Sequence, residues 1–106
     1  MPKFLVQGFY TAEGLQGLMK DKASGRKAAV QAAVKSVKAK MESLHFGVSG
    51  SEFVMILDAP DNAAVAALSV TVVASGAVDL NVTPLLTVDE LDTALGLATK
   101  YRAPGE

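Results

Sequence analysis

The chain has 106 residues, half of them hydrophobic, with four Phe, two Tyr and no Trp, and ten Lys and Arg stand against eleven Asp and Glu. That length holds one domain, spanning 1–106, and leaves no room for a second core. A net charge of −1 lacks the basic excess by which nucleic-acid binders hold phosphate, and the absence of cysteine removes disulfides, thiolate nucleophiles and thiolate-bound metal.

Met1-Pro2-Lys3-Phe4 runs straight into a strand-like stretch, with no secretory-signal pattern. The longest apolar stretch, Ala63 to Val78, is interrupted by Ser69, Thr71, Ser75 and Gly76. It is shorter than the roughly 20 residues a membrane span needs. Both features lead to the expectation of a cytoplasmic protein without a membrane partner.

Lys3 to Tyr10 reads as a first strand, because Phe4, Leu5, Val6, Phe9 and Tyr10 fit no helical period. Thr11 follows as a helix N-cap, with Glu13 suited to the first turn. Leu15, Leu18 and Met19 recur at helical spacing, and Ser24-Gly25 predicts a break. The main helix resumes at Arg26, with Val30, Ala33, Val34 and Val37 on one stripe and Lys27, Gln31, Lys35 and Lys38 opposite. The bases lie mainly between Lys20 and Lys40, as a solvated helix face.

Met41 to Gly47 is a second strand, alternating Met41, Ser43, His45 against Glu42, Leu44, Phe46. Gly47 to Ser51 makes a hairpin connection. Glu52 to Asp58 is nearly all apolar, the pattern of a strand covered on both faces. Pro60-Asp61-Asn62 starts a helix, with Pro60 expected in its first turn. The β-branched residues of Ser69–Val73 favour a strand by propensity, yet the Ala-rich start favours one helix ending at Gly76 as its C′ residue. Ala77 to Leu86 is the fourth strand, with Val78, Leu80 and Val82 on one face and Pro84 marking a sheet edge. Thr87-Val88-Asp89-Glu90 is a capping box, opening a helix whose apolar face is Leu91, Ala94, Leu95 and Ala98. A tail from Tyr101 to Glu106 closes the chain.

Strand, helix, strand, strand, helix, strand is the order of a ferredoxin-like βαββαβ sandwich, an α+β fold, here with an extra C-terminal helix. Two helices cover one face of the sheet and leave the other bare. The third strand is nevertheless apolar on both sides, with Phe53, Met55 and Leu57 against Val54 and Ile56. The first strand repeats this with Phe4 and Val6 against Leu5 and Phe9. A bare apolar face calls for a partner, and a second copy across a two-fold axis is the simplest one. Two sheets stacked face to face would form a dimeric α/β barrel.

Several blocks carry a resemblance: the opening Met1 to Gly14, Leu57-Asp58-Ala59-Pro60-Asp61-Asn62, Ala74 to Val78, Thr83 to Thr87 and Tyr101 to Gly105. Together the chain resembles the GYD-domain proteins, small bacterial proteins of the dimeric α/β-barrel superfamily. The resemblance implies the same fold and a homodimer, or a higher assembly of such dimers. It does not choose a reaction, because the superfamily spans cofactor-free monooxygenases, isomerases, haem-dependent dismutases and stress-response proteins. The Gly-Tyr-Asp signature expected before the third strand reads Gly50-Ser51-Glu52 here, so a role carried by that tyrosine in relatives has no residue to carry it.

His45 is the one histidine, the side chain suited to acid–base work near neutrality. Tyr10 ends the first strand at what would be a pocket mouth, and Asp79, Asn81 and Thr83 set three polar groups on one face of the fourth. Glu52 and Asp58 stand roughly 20 Å apart along a strand, too far for shared acid–base chemistry. No second ligand accompanies His45 at metal-binding spacing, and no cofactor motif occurs, so neither metal nor cofactor is expected. The leading expectation is a homodimer binding a small apolar molecule between sheet and helices, with Tyr10, His45 and Asn81 as its polar contacts. One alternative is a cofactor-independent monooxygenase or isomerase with His45 as general base. Another is a structural or regulatory dimer whose interior is filled by Phe53, Met55 and Leu57.

Overall fold

The first strand, β1 (Lys3–Tyr10), becomes the inner strand on which the sheet is built. The computed structural model describes residues 1–106, with α1 (Ala12–Ser36), β2 (Lys40–Phe46), β3 (Glu52–Asp58), α2 (Asn62–Ala74), β4 (Val78–Leu85) and α3 (Val88–Leu95) following in order. The four strands form one antiparallel sheet in the order β2-β3-β1-β4. This is the ferredoxin-like α+β arrangement. No helix is long and apolar enough to cross a membrane.

Strand alternation divides the side chains into two sets. Phe4 and Val6 of β1, Phe53, Met55 and Leu57 of β3, and Val78 of β4 are buried beneath α1 and α2, which contribute Val34, Val65 and Leu68. Each such side chain stabilises the fold by roughly 1.5–3 kcal/mol on burial. Phe53, Met55 and Leu57 therefore fill the core of the single chain, and are not left over for the interior of a dimer. On the other face, here called the open face, Leu5, Gln7 and Phe9 lie beside Val54, Ile56 and Thr83 in register.

The helix starts follow their capping chemistry. Thr11 accepts from the Gly14 amide at 3.1 Å, while its own hydroxyl donates to the Gly76 carbonyl at 3.0 Å, pinning the start of α1 to the turn before β4. Gly14 is required there because a Cβ would run into the Ala77 carbonyl. Asp61 caps α2 by accepting from the Ala64 amide at 2.9 Å, so Pro60 lies before the helix, outside its first turn. The helix carries its β-branched run through Ala74, and Gly76 (φ +77°) follows as the left-handed residue that ends it. The Thr87–Glu90 capping box forms reciprocally, both bonds at 3.0 Å.

Two expectations are corrected. The break in α1 falls at Lys22 (φ 66°, ψ 164°), and Ser24-Gly25 stays helical. A helical glycine costs about 1 kcal/mol relative to alanine, which the flanking turns absorb. In β2, an irregularity between Met41 and Ser43 adds one residue, so Met41 pairs with Leu57 and Leu44 with Met55. Met41 consequently packs on the core with Leu44, while Glu42 reaches the open face, where its Oε2 accepts a hydrogen bond from Lys3 Nζ at 3.2 Å.

Candidate functional site

A slot of about 90 Å³ lies between the sheet and the helices. Its floor includes Val6, Met55 and Leu80, and its roof includes Val30 and Ala33 of α1 and Val72 of α2. Thirteen of its fifteen lining residues are hydrophobic; Arg26 and Ser69 are the two others, and Tyr10 counts among the thirteen. The volume exceeds what one water occupies and falls below the roughly 300–1,000 Å³ of a drug-sized site. It suits a body the size of a small ring or a short alkyl chain.

Tyr10, Arg26 and Val78 also border a second cleft of about 320 Å³, whose walls include Glu13, Asp21 and Ser75. Tyr10, Arg26 and Val78 thus stand between the apolar slot and this cleft, lining both. The Tyr10 ring lies 5.5 Å from that of Phe53 at a 55° tilt, which fixes it at the floor of the mouth. Arg26 stands opposite on α1, its Nη1 atom 3.5 Å from Asp21 Oδ2 across the Lys22 kink. Arg26 falls at helical spacing with Val30, Ala33 and Val37, and that stripe was the signal by which the sequence could have singled it out.

The three residues expected to line one pocket do not meet. Tyr10 lines the slot, whereas His45 and Asn81 lie on the open face, in one cross-strand row with Val54 and Gln7. They occupy the two edge strands, about 14 Å apart at three strand spacings. His45 is exposed and separated from the slot by the thickness of the sheet, so it cannot take a proton from anything held there. Alternation grouped His45 with Ser43, and Asn81 with Asp79 and Thr83. It also grouped His45 with Met41, which the irregularity in β2 turns to the core, and it could not say which face the helices would cover.

The open face has its own pattern. Its centre is apolar, with Leu5, Phe9, Val54 and Ile56 on the two inner strands; Phe9 and Val54 are 43% and 40% exposed. Its margins are polar, with Ser43 and His45 on one edge and Asp79, Asn81 and Thr83 on the other. At one end Lys3 Nζ lies 2.8 Å from Asp58 Oδ1 and 3.2 Å from Glu42 Oε2. These hydrogen bonds, to Asp58 first and Glu42 second, raise the Lys3 pKa above 10.5. No three His, Cys, Asp or Glu side chains gather as a metal site would require.

A ferredoxin-like sandwich with an apolar slot on one side of its sheet and an uncovered, largely apolar face on the other defines the class. The GYD-domain family model matches residues 4–95, and the chain belongs to that family. The match spans every strand and all three helices, ending at the last residue of α3. No curated protein matches the chain.

Proposed function

We propose that the protein binds a small, mainly apolar molecule in the slot under α1 and α2, as a homodimer joined through the open faces of its sheets. The observation that carries the binding reading is the slot itself, almost wholly hydrophobic yet bordered by the Arg26 guanidinium and by Tyr10. That arrangement suits a ligand with an apolar body and one polar end. Catalysis by His45 as general base gains no support, because that residue stands across the sheet from the slot.

Toluene is a fitting probe for the slot. In methyl-resolved NMR it is expected to give saturable shifts at Val30, Met55 and Val72, and Ala33→Leu, which fills the slot from α1, is expected to abolish them while the fold persists. Toluene that leaves these methyls unmoved up to its solubility limit overturns the binding reading.

The dimer reading is supported by the open face, whose apolar centre and polar margins have the layout of a protein interface. It gives the chain a use for both apolar sides of β1 and β3.

A further inference from the structure

Every residue from Leu86 to Arg102 is exposed, although this stretch contains a complete, doubly capped helix. The radius of gyration is 17.0 Å and the longest extent 55 Å, against about 13 Å for the radius of a compact chain of this length. The chain ends in an arm that leaves the body at edge strand β4.

The helix on that arm is built to be covered. Val88, Leu91 and Leu95 fall on one side at helical spacing and are 80%, 48% and 74% exposed. An isolated helix of eight residues is marginal in water, so α3 needs packing to persist. The family model runs through Leu95, which makes α3 a part of the family's module and not an appendage peculiar to this chain.

We propose that this arm, Thr87–Glu106, is exchanged between two copies of the chain, each laying the Val88, Leu91 and Leu95 stripe of α3 on the other's body. The inference rests on the homodimer reading and adds the element that clasps it. Three observations select a second copy as the occupant. The accessible surface is 7398 Å², about 1,800 Å² more than a compact monomer of 11.0 kDa exposes. An excess of that size is what each subunit of an obligate dimer contributes to its interface. The charges also complement: α3 carries Asp89, Glu90 and Asp92 and no base, while seven of the ten Lys and Arg lie between Lys20 and Lys40. Finally, the arm is continuous with the open face, since Leu85 at its root pairs with Lys3.

The test combines sedimentation with paramagnetic relaxation. The chain has no cysteine, so Thr93→Cys accepts a single spin label on the polar side of α3. Labelled chains without ¹⁵N are mixed with ¹⁵N chains without label. Broadening of ¹⁵N amides in the mixed sample is expected, and Leu91→Asp/Leu95→Asp in the full chain is expected to weaken dimerisation at least tenfold while circular dichroism keeps the fold. Broadening confined to chains carrying both labels means the arm folds back on its own body, and broadening in neither sample means it touches no copy; either overturns the exchange. A dimer that the double variant leaves intact also overturns it, with the homodimer still standing. A wild-type monomer at micromolar concentration removes the homodimer reading itself.

Discussion

Lys22 holds φ 66° and ψ 164°, a backbone region in which a side chain costs roughly 1–3 kcal/mol. The strain is placed between Asp21 and Arg26, an ion pair whose arginine lines the slot, so the kink sets where Arg26 stands. Lys22→Gly relieves it and is expected to raise stability in urea unfolding by about 1 kcal/mol after the glycine's own entropy cost. A loss of stability would mean that Lys22 is helical in solution. Lys3 makes a second prediction, in pH. Its folded pKa is raised, so the stabilisation from Asp58 and Glu42 is complete below 10.5 and is lost only as pH climbs through the folded value. The Lys3 ¹³Cε resonance is expected to titrate above 10.5, and Asp58→Asn to bring the midpoint down. A midpoint at or below 10.5 in the unmodified protein would show that the pairing is absent in water.

At the scale of elements, α2 is the helix whose start matters most, because it carries Val65 and Leu68 into the core yet has no charged residue from Asn62 to Ala74 to aid it. Asp61 alone satisfies an early amide, so Asp61→Ala is expected to cost about 1 kcal/mol in global unfolding, and Asp61→Asn much less. Equal losses in the two variants would assign the effect to charge instead of the cap. The caps at Thr11 and Thr87 were legible in the sequence, since each depends on neighbours within three residues, whereas Pro60 was expected inside the turn that Asp61 caps. The end of α2 at Gly76 was legible too, where helix continuity outweighs β-branching. The added residue at Met41–Ser43 was not legible, because register is a property of β2 and β3 together. For the same reason the sequence grouped Tyr10, His45 and Asn81: polarity and alternation identify a face, while only the packed helices decide which face encloses a cavity. Arg26 went unchosen because a base on a lysine-rich helix looks solvated until the helix is docked.

For the molecule as a whole, only 13 of 106 residues are buried, too few for both apolar sides of the sheet to be served by one chain. Val54 lies in the middle of the open face, flanked across strands by His45 and Gln7. Val54→Asp puts a charge where a facing sheet would desolvate it, and is expected to yield monomers in sedimentation with the fold retained. A dimer of unchanged affinity would move the interface elsewhere. The strand order has a consequence for how the chain folds. β1 is made first but is flanked by β3 and β4, and its residue Lys3 finds partners only at Asp58 and Leu85. The β2–β3 hairpin is the one pairing between neighbours in sequence, and every other pairing closes a longer loop. Pairings this distant in sequence slow the crossing of the folding barrier, because loop-closure entropy is lost before the contacts that offset it form. The amino-terminal strand is thus the earliest synthesised, yet both of its partner strands come later in the chain.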